Sequence, residues 1–201
     1  MDDIVKQAMA KWPDVPTVYG WLALDARGQW RLKGDVIGNP TLVAFINRNY
    51  EHDAQGRWFF QNGPQRVFVA LACAPFVLRV SGEAPPALET HTGASVRTVR
   101  GAWFDETGVL LLDTERGVGS VDDRDLERLL PCFTDAAGHV LDEDAIALRL
   151  EQLQAGSTAE LRFEYRGASV AVGTVATDAV AAQFGFVHDP QPAAGEHTAA
   201  C

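Results

Sequence analysis

A short pattern of Asp, two variable residues and Gly, followed by apolar residues, occurs four times in this chain. The copies occupy residues 25–28, 53–56, 105–108 and 135–138. The Asp side chain can accept a hydrogen bond from the backbone two residues further on, and the Gly can adopt the positive φ that closes a type I turn with a bulge. Each copy therefore predicts a tight turn at the end of a β-strand.

The spacing of the four turns predicts an internal repeat. The second copy follows the first at nearly the interval at which the fourth follows the third. Apolar alternation predicts strands around the turns, and helical spacing occurs at 40–49 and 122–130. These patterns predict an α+β fold with a mainly antiparallel sheet and few short helices, arranged as two structurally related β-β-α-β-β-β units.

The predicted domain organisation has four parts. Residues 1–82 form the first α+β unit, led by an amphipathic helix at 2–12 that is expected to pack over the sheet. Residues 83–98 contain Pro and Gly with little periodicity, which is typical of a connector. Residues 99–187 form the second unit. The small, polar and Pro-containing residues 188–201 predict a flexible tail.

Two segments of the second unit allow more than one interpretation. Residues 145–151 fit both an alternating strand and a helix, and their likeness to residues 66–71 favours a strand. Residues 117–120, Gly-Val-Gly-Ser, precede a predicted helix as a phosphate-binding loop would. The third Gly and the Lys of such a loop are missing, so the segment is interpreted as a loop with a helix cap.

Composition excludes several classes of protein. The net charge of −10 argues against a general nucleic-acid binder, which needs a basic surface for phosphates. No apolar run approaches the roughly 18 residues of a membrane helix, and the acidic N-terminus does not match a secretory signal. Cys73 and Cys132 have apolar neighbours and are predicted core residues, whereas Cys201 is expected to be exposed. The absence of paired cysteine motifs favours a cytoplasmic location.

The segment from Trp58 to Arg66 is the strongest candidate for a functional surface. Asn62 begins an Asn-Gly-Pro turn, and Gln61, Gln65 and Arg66 bring amide and guanidinium groups to a run of aromatic residues that includes Trp58. Arginine beside aromatic rings can bind a carboxylate, a phosphate or a flat ring. We expect these five residues to form a ligand or partner face. The alternative is a structural hairpin whose aromatic side chains belong to the core.

Four segments carry a resemblance to other proteins: Trp-Pro-Asp-Val-Pro at 12–16, Tyr-Gly-Trp-Leu at 19–22, the run at 58–69, and Phe-Gly-Phe-Val at 184–187. They resemble a family of small proteobacterial proteins that is catalogued only as a domain of unknown function. The resemblance spans about residues 10–188. It implies a bacterial cytoplasmic protein and carries over no catalytic residue.

No motif for catalysis or metal binding is present in the sequence. The five histidines do not fall at the spacings of a zinc site, and one Asp per turn is too few for a calcium loop. The segment at 119–121 lacks the pattern of a serine nucleophile. We therefore predict no catalytic residue, no metal site and no cofactor.

The leading hypothesis is a non-enzymatic cytoplasmic binding or interaction protein. Its aromatic-rich first unit would contact a protein partner or a second copy of the chain in a homodimer. The alternative is a small-molecule binder or enzyme with a polar cleft between the two units, rimmed by Arg66, Gln65 and either His52 or His91. Neither a nucleic acid nor a membrane is expected as a partner.

Overall fold

The chain divides into two units, and the first is discontinuous in sequence. A computed structural model describes residues 1–12, 15–82, 86–193 and 198. Unit 1 comprises Met1–Pro75 and Ala181–Cys201, and unit 2 comprises Phe76–Val180. The division thus falls before the predicted boundary at residue 82, and the C-terminal segment belongs to the first unit.

Unit 1 is built on a six-stranded sheet. Its elements are α1 (Asp3–Lys11), β1 (Val18–Leu24), β2 (Trp30–Leu32), β3 (Asp35–Val36), α2 (Pro40–Arg48), β4 (Tyr50–His52), β5 (Trp58–Asn62) and β6 (Gln65–Leu71). The strand order is β3-β2-β1-β6-β5-β4. The central strands β1 and β6 are parallel, and the other neighbours are antiparallel. Two three-stranded meanders thus meet at one parallel pair, with α2 connecting them.

Unit 2 is built on an eight-stranded sheet. Its elements are β7 (Phe76–Ser81), β8 (Ala87–Thr90), β9 (Val99–Asp105), β10 (Leu110–Thr114), β11 (Gly117–Val121), the 3₁₀ helix η1 (Asp123–Cys132), β12 (Phe133–Thr134), α3 (Glu143–Gln154), β13 (Arg162–Tyr165), β14 (Ala168–Val175) and the 3₁₀ helix η2 (Thr177–Ala179). Helix α4 (Val180–Phe184) follows at the boundary with unit 1. The predicted connector at 83–98 thus contains strand β8.

The two sheets share one connectivity. The order in unit 2 is β12-β13-β14-β9-β10-β11-β7-β8, so β9 to β14 repeat the arrangement of β1 to β6. The parallel pair of β9 and β14 corresponds to that of β1 and β6. Unit 2 adds β7 and β8 beyond β11, and α3 between β12 and β13. The prediction of an α+β fold with mainly antiparallel sheets is confirmed, and each repeat has one more strand than the predicted β-β-α-β-β-β.

The four predicted turns form by the expected chemistry. In each turn, one carboxylate oxygen of the Asp accepts hydrogen bonds from two backbone N–H groups, at distances between 2.8 and 3.0 Å. The fourth residue of each turn, always Gly, has a φ between 74° and 88°. Three of the turns join neighbouring strands of a sheet. The turn at 135–138 instead closes a single bridge between Thr134 and Val140.

Helix α2 is positioned by its cap and by an aromatic core. The Asn39 side chain accepts hydrogen bonds from the N–H groups of Thr41 and Leu42, and Pro40 occupies the first turn, where it loses no hydrogen bond. The indole N–H of Trp30 donates to the Oδ1 atom of Asn47 at 2.7 Å. The apolar face of α2 is thereby fixed over the sheet, with Ile46 2% exposed.

Several local predictions were wrong. Residues 145–151, interpreted as a strand, lie in α3, because Asp142 caps the helix and two acidic residues occupy its first turn. Residues 117–120, interpreted as a loop, lie in β11. Residues 76–80, placed in the predicted first unit, lie in β7, which pairs with β11 in unit 2. Residues 185–187, placed in the predicted second unit, belong to unit 1, where the Val187 N–H donates to the Gly56 carbonyl oxygen.

Both ends of the chain differ from the predicted pattern. Helix α1 forms as predicted but covers its apolar face only in part: Val5 is buried, whereas Ile4 is 72% and Trp12 51% exposed. In the predicted tail, the carbonyl oxygen of His188 accepts a hydrogen bond from the Leu71 N–H. The prediction for Cys201 lies outside the described residues.

Candidate functional site

The predicted face lies on the hairpin of β5 and β6. Gln61 is paired with Arg66 and Asn62 with Gln65, across a turn in which Gly63 has φ 57°. Because neighbouring residues of a strand point to opposite sides of a sheet, the two pairs face opposite sides. The structure therefore divides the predicted face into two separate surfaces.

Trp58 belongs to the core of unit 1. It is 8% exposed, and its ring centroid lies 4.7 Å from that of Tyr50 and 4.8 Å from that of His52. Tyr50 also contacts Trp30 edge to face, and its hydroxyl donates to the Pro75 carbonyl oxygen at 3.0 Å. Burial raises the pKa of Tyr50 well above its usual value. Trp58 is therefore part of an aromatic cluster beneath α2.

Gln61 and Arg66 line a cavity of about 350 Å³ whose other walls include Met9, Trp12 and Val15. We call it the α1 pocket, and its remaining lining residues are Thr17 and Pro64. Helix α1 supplies Met9, and Trp12 is the C-cap residue of that helix. The pocket combines an apolar wall with two strongly polar side chains, which is the usual composition of a ligand site.

Gln61 is the most unusual residue of the α1 pocket. The residue is fully buried, and its Nε2 atom donates to the Gly63 carbonyl oxygen at 2.9 Å. Its Oε1 atom accepts no hydrogen bond from any residue that the structure describes. Since leaving a buried acceptor unsatisfied costs about 1–3 kcal/mol, this oxygen has a strong preference for an N–H or O–H donor.

Arg66 supplies the positive charge of the α1 pocket. Its guanidinium carbon lies 4.8 Å from the centroid of the Phe59 ring, which is within the range of a cation–π contact. Within the described part of the chain, no carboxylate lies within ion-pair distance of Arg66. The described residues thus leave its donors available to an anionic group.

Asn62 and Gln65 line a different cavity, of about 230 Å³, on the opposite side of the hairpin. We call it the α2 cavity, since Leu42 and Ile46 of that helix form one wall. Asn62 is exposed, and the Nε2 atom of Gln65 donates to the Pro16 carbonyl oxygen at 3.0 Å. Apart from these amides the walls are largely apolar.

His52 and His91, considered above for the rim of a polar cleft, lie in very different environments. His52 is exposed, and its Nδ1 atom lies 3.0 Å from the Asp53 carbonyl oxygen. His91 lies in unit 2 as an acceptor for the Val77 N–H. Burial, together with the positive charge of Arg79, lowers the pKa of His91 to about 3, so its imidazole is neutral at physiological pH.

A larger cavity, of about 470 Å³, lies in unit 2 beside α3. Arg149 is the cation in its wall, and its guanidinium already donates to the carbonyl oxygens of Ala145 and Glu160. The guanidinium of Arg149 is thus already hydrogen-bonded within the protein. This cavity offers less to a ligand than the α1 pocket does.

The remaining features bear on metals, thiols and membranes. Among the described residues, no cluster of three or more His, Cys, Asp or Glu side chains could hold a metal ion. Cys132 is a free cysteine, and burial raises the pKa of its thiol. No helix in the described ranges is both long and apolar enough to span a membrane.

Sequence reasoning missed the wall that α1 contributes to the pocket. The helical spacing of Met9 and Trp12 had indicated an apolar face, but their position at the hairpin depends on how the helix packs. A signal was nevertheless present, since Trp12 ends the helix immediately before a Pro. The opposite orientation of Gln61 and Asn62 could also have been inferred from strand alternation.

Fold and site together define an α+β protein with two sheets of shared connectivity and a polar pocket on one hairpin. The chain belongs to the DUF2944 family, described as "Protein of unknown function (DUF2946)", whose model matches residues 1–191. No curated protein matches the chain.

Two solved structures resemble the chain. One is a DUF1285 family protein from Silicibacter pomeroyi DSS-3, with 16% sequence identity, a TM-score of 0.52, and coverage of 80% of this chain and 85% of the other. The second is a DUF1285 family protein from Shewanella baltica OS155, with 16% identity, a TM-score of 0.41, and coverage of 57% and 90%. The first likeness shows the fold alone.

Proposed function

We propose that the protein is a non-enzymatic binding protein whose α1 pocket holds the carboxyl-terminal residue of a partner protein. The observation that carries the proposal is the buried Oε1 atom of Gln61, which lacks a donor within the described residues and belongs to a residue that lines the same cavity as Arg66. A ligand that satisfies both residues needs an N–H group and an anion close together.

The pairing of Gln61 with Arg66 sets the distance between those two groups. Residues directly opposite each other on antiparallel strands have Cβ atoms about 5 Å apart. An amino acid at the end of a peptide has its amide N–H and its carboxylate on the same Cα atom, which suits this spacing. The carboxylate would bind Arg66, and the amide N–H would donate to Gln61.

The apolar wall favours a protein partner over an isolated metabolite. Met9 and Trp12 can cover an aliphatic or aromatic side chain of the bound residue, and Trp12 is 51% exposed. An exposed Trp at the edge of a polar site is typical of a surface that contacts another protein. A second copy of the chain is one such partner.

The test uses three probes: N-acetyl-leucine, its C-terminal amide and its N-methyl derivative. We expect N-acetyl-leucine to bind, as measured by chemical-shift changes, and both altered probes to bind at least about tenfold more weakly. Arg66→Gln and Gln61→Leu should weaken binding similarly. Asn62→Ala, on the other side of the hairpin, is the matched control and should bind normally.

The length of the probe separates a protein partner from a small ligand. Acetylated peptides that end in the same residue should bind at least as tightly as N-acetyl-leucine. If lengthening abolishes binding, the small-molecule alternative replaces the protein partner. Failure of N-acetyl-leucine to bind, or equal binding of acid and amide, would refute the proposed recognition.

We also propose that the protein is bacterial and cytoplasmic. We propose further that its two units arose by duplication. The sequence resemblance to proteobacterial proteins supports the first. The free thiol of Cys132 supports a reducing compartment. The shared connectivity of the two sheets supports duplication. Fractionation of cells that carry the tagged full-length chain tests the location, and recovery outside the cytoplasm would contradict it.

A further inference from the structure

We infer that the α2 cavity is a second binding site, which takes a medium-length aliphatic carboxylate with its head group at Lys33. This inference is independent of the proposed function, because the α2 cavity lies on the opposite side of the hairpin from the α1 pocket. The inference rests on three observations. They are the apolar walls of the cavity, the ammonium group of Lys33, which no described carboxylate pairs with, and the backbone conformation of Lys33.

The walls of the cavity are suited to a hydrocarbon chain. They include Leu32, Ile37, Leu42, Ile46 and Phe60. Leu32 is 45% and Leu42 38% exposed, so the apolar surface continues to the mouth. Exposed apolar side chains around a concavity are typical of a ligand site. A volume of about 230 Å³ is below the range of roughly 300–1,000 Å³ for drug-sized ligands and suits a smaller molecule.

Lys33 supplies a cation next to these walls. Its Nζ atom lies 4.0 Å from the centroid of the Trp21 ring, and Trp21 lines the cavity. Among the described residues no carboxylate pairs with Lys33, whereas the neighbouring Arg31 is paired with Asp25. The ammonium group is thus available to an anionic head group. The amides of Asn62 and Gln65 add polarity at the hairpin wall without adding charge.

The backbone of Lys33 supports a role for its side chain. Lys33 has φ 49° in a two-residue turn with Gly34, a conformation that favours Asn or Gly. Arg166 has the same φ in the two-residue turn between β13 and β14 of unit 2, where its guanidinium lies 5.7 Å from the Tyr165 ring centroid. No cavity described above is lined by Arg166, which makes it a matched control for the effect of the turn alone.

The experiment titrates the full-length protein with octanoate, 1-octanol and octylamine, and follows binding by chemical-shift changes and calorimetry. We expect octanoate to bind about tenfold or more tightly than octanol, and octylamine to bind least, because the head group meets a cation. Lys33→Asn should reduce octanoate affinity about tenfold, and Arg166→Asn should leave it unchanged. Leu42→Trp should abolish binding by filling the cavity.

Each contrary result overturns the inference in a different way. Equal binding of octanoate and octanol, or an unaffected Lys33→Asn variant, would show that the cavity takes a neutral apolar group. Absence of octanoate binding to the wild-type protein would show that the cavity is no site for such acids. Thermal unfolding of Leu42→Trp verifies that the variant is folded, and normal binding by folded Leu42→Trp would place the ligand elsewhere.

Discussion

The backbone N–H of Val187 donates a hydrogen bond of 3.0 Å to the carbonyl oxygen of Gly56. A Cβ atom added at Gly56 would lie 2.2 Å from the carbonyl oxygen of Gly185, which is a severe overlap with backbone. The turn at 53–56 is thus packed directly against the C-terminal segment. Phe186, between the two contacting residues, is 6% exposed.

Gly56→Ala should therefore destabilise the protein much more than the same change in an open turn. A positive φ alone costs about 1–2 kcal/mol for Ala, and the overlap with Gly185 adds roughly 1–3 kcal/mol. Gly108 has φ 88° with nothing within 4 Å of an added Cβ, so Gly108→Ala measures the first cost alone. Urea denaturation of both variants checks the difference, and equal losses would contradict the packing described here.

Two buried amides of unit 1 should respond in opposite directions to replacement by Leu. Asn49 is fully buried and bonded: it accepts from the Asp2 N–H and donates to the Phe45 carbonyl oxygen. Asn49→Leu should cost about 2 kcal/mol or more. Gln61→Leu should raise the free energy of unfolding by about 1 kcal/mol, because it removes an unsatisfied acceptor.

Thermal and urea unfolding of the unliganded protein provide the comparison. If Gln61→Leu loses as much stability as Asn49→Leu, the Oε1 atom is already satisfied in solution by ordered water. The α1 pocket would then be a hydrated cavity, and the proposed recognition would lose its main support. The outcome is independent of the choice of ligand probe.

The stability of the protein should fall below neutral pH because of His91. Its pKa is about 3 in the folded protein, where burial and Arg79 oppose protonation, and about 6.5 in the unfolded chain. Between these values the unfolded state binds one more proton than the folded state. The contribution of neutral His91 to the free energy of unfolding is therefore fully present above pH 6.5. It is lost as the pH falls, at about 1.4 kcal/mol per pH unit.

The His91→Asn variant tests this assignment. Between pH 6.5 and 4, the free energy of unfolding of this variant should depend less steeply on pH than that of the wild type. The difference in slope should correspond to about one bound proton, whatever the stability of the variant at neutral pH. His52→Asn, which alters an exposed imidazole, is the control and should keep the wild-type slope. An unchanged slope for His91→Asn would assign the acid sensitivity to other groups.

The paired turns at Lys33 and Arg166 yield a prediction about stability. Replacing either residue by Asn relieves the strain of the positive φ of 49°, which should stabilise the folded protein by about 1 kcal/mol. Lys33→Asn also removes a cation 4.0 Å from Trp21, a contact worth about 0.5–1 kcal/mol, so its net effect should be near zero. Arg166→Asn should raise stability by about 0.5–1 kcal/mol. Thermal unfolding distinguishes the two, and a loss of stability in both variants would contradict the argument.

Sequence reasoning succeeded where the determining interactions are local. The four turns follow from an Asp and a Gly three residues apart, and the cap of α2 follows from Asn39 and Pro40. Helix α3 was also specified locally, by Asp142 and the acidic first turn, but its alternating apolar residues suggested a strand. In that segment the capping signals were better evidence than the apolar pattern.

The remaining errors concern long-range pairing and packing. The parallel pairing of β7 with β11 joins segments that no local pattern connects, so residues 76–81 were placed in the first predicted unit. The five residues of the candidate face lie on one hairpin, but the α1 wall of the pocket depends on tertiary packing. Trp58 could not be distinguished from a surface aromatic residue until its contacts with Tyr50 were visible.

The discontinuity of unit 1 determines the order in which the protein can be completed during synthesis. Strands β1 to β6 leave the ribosome first, yet the residues that cover Gly56 follow only after all of Phe76–Val180 has been made. The backbone of the turn at 53–56 in the sheet of unit 1 therefore stays uncovered until the segment that begins at Ala181 has been synthesised. A released chain truncated after residue 180 should expose that turn to proteolysis, although it contains every strand of unit 2.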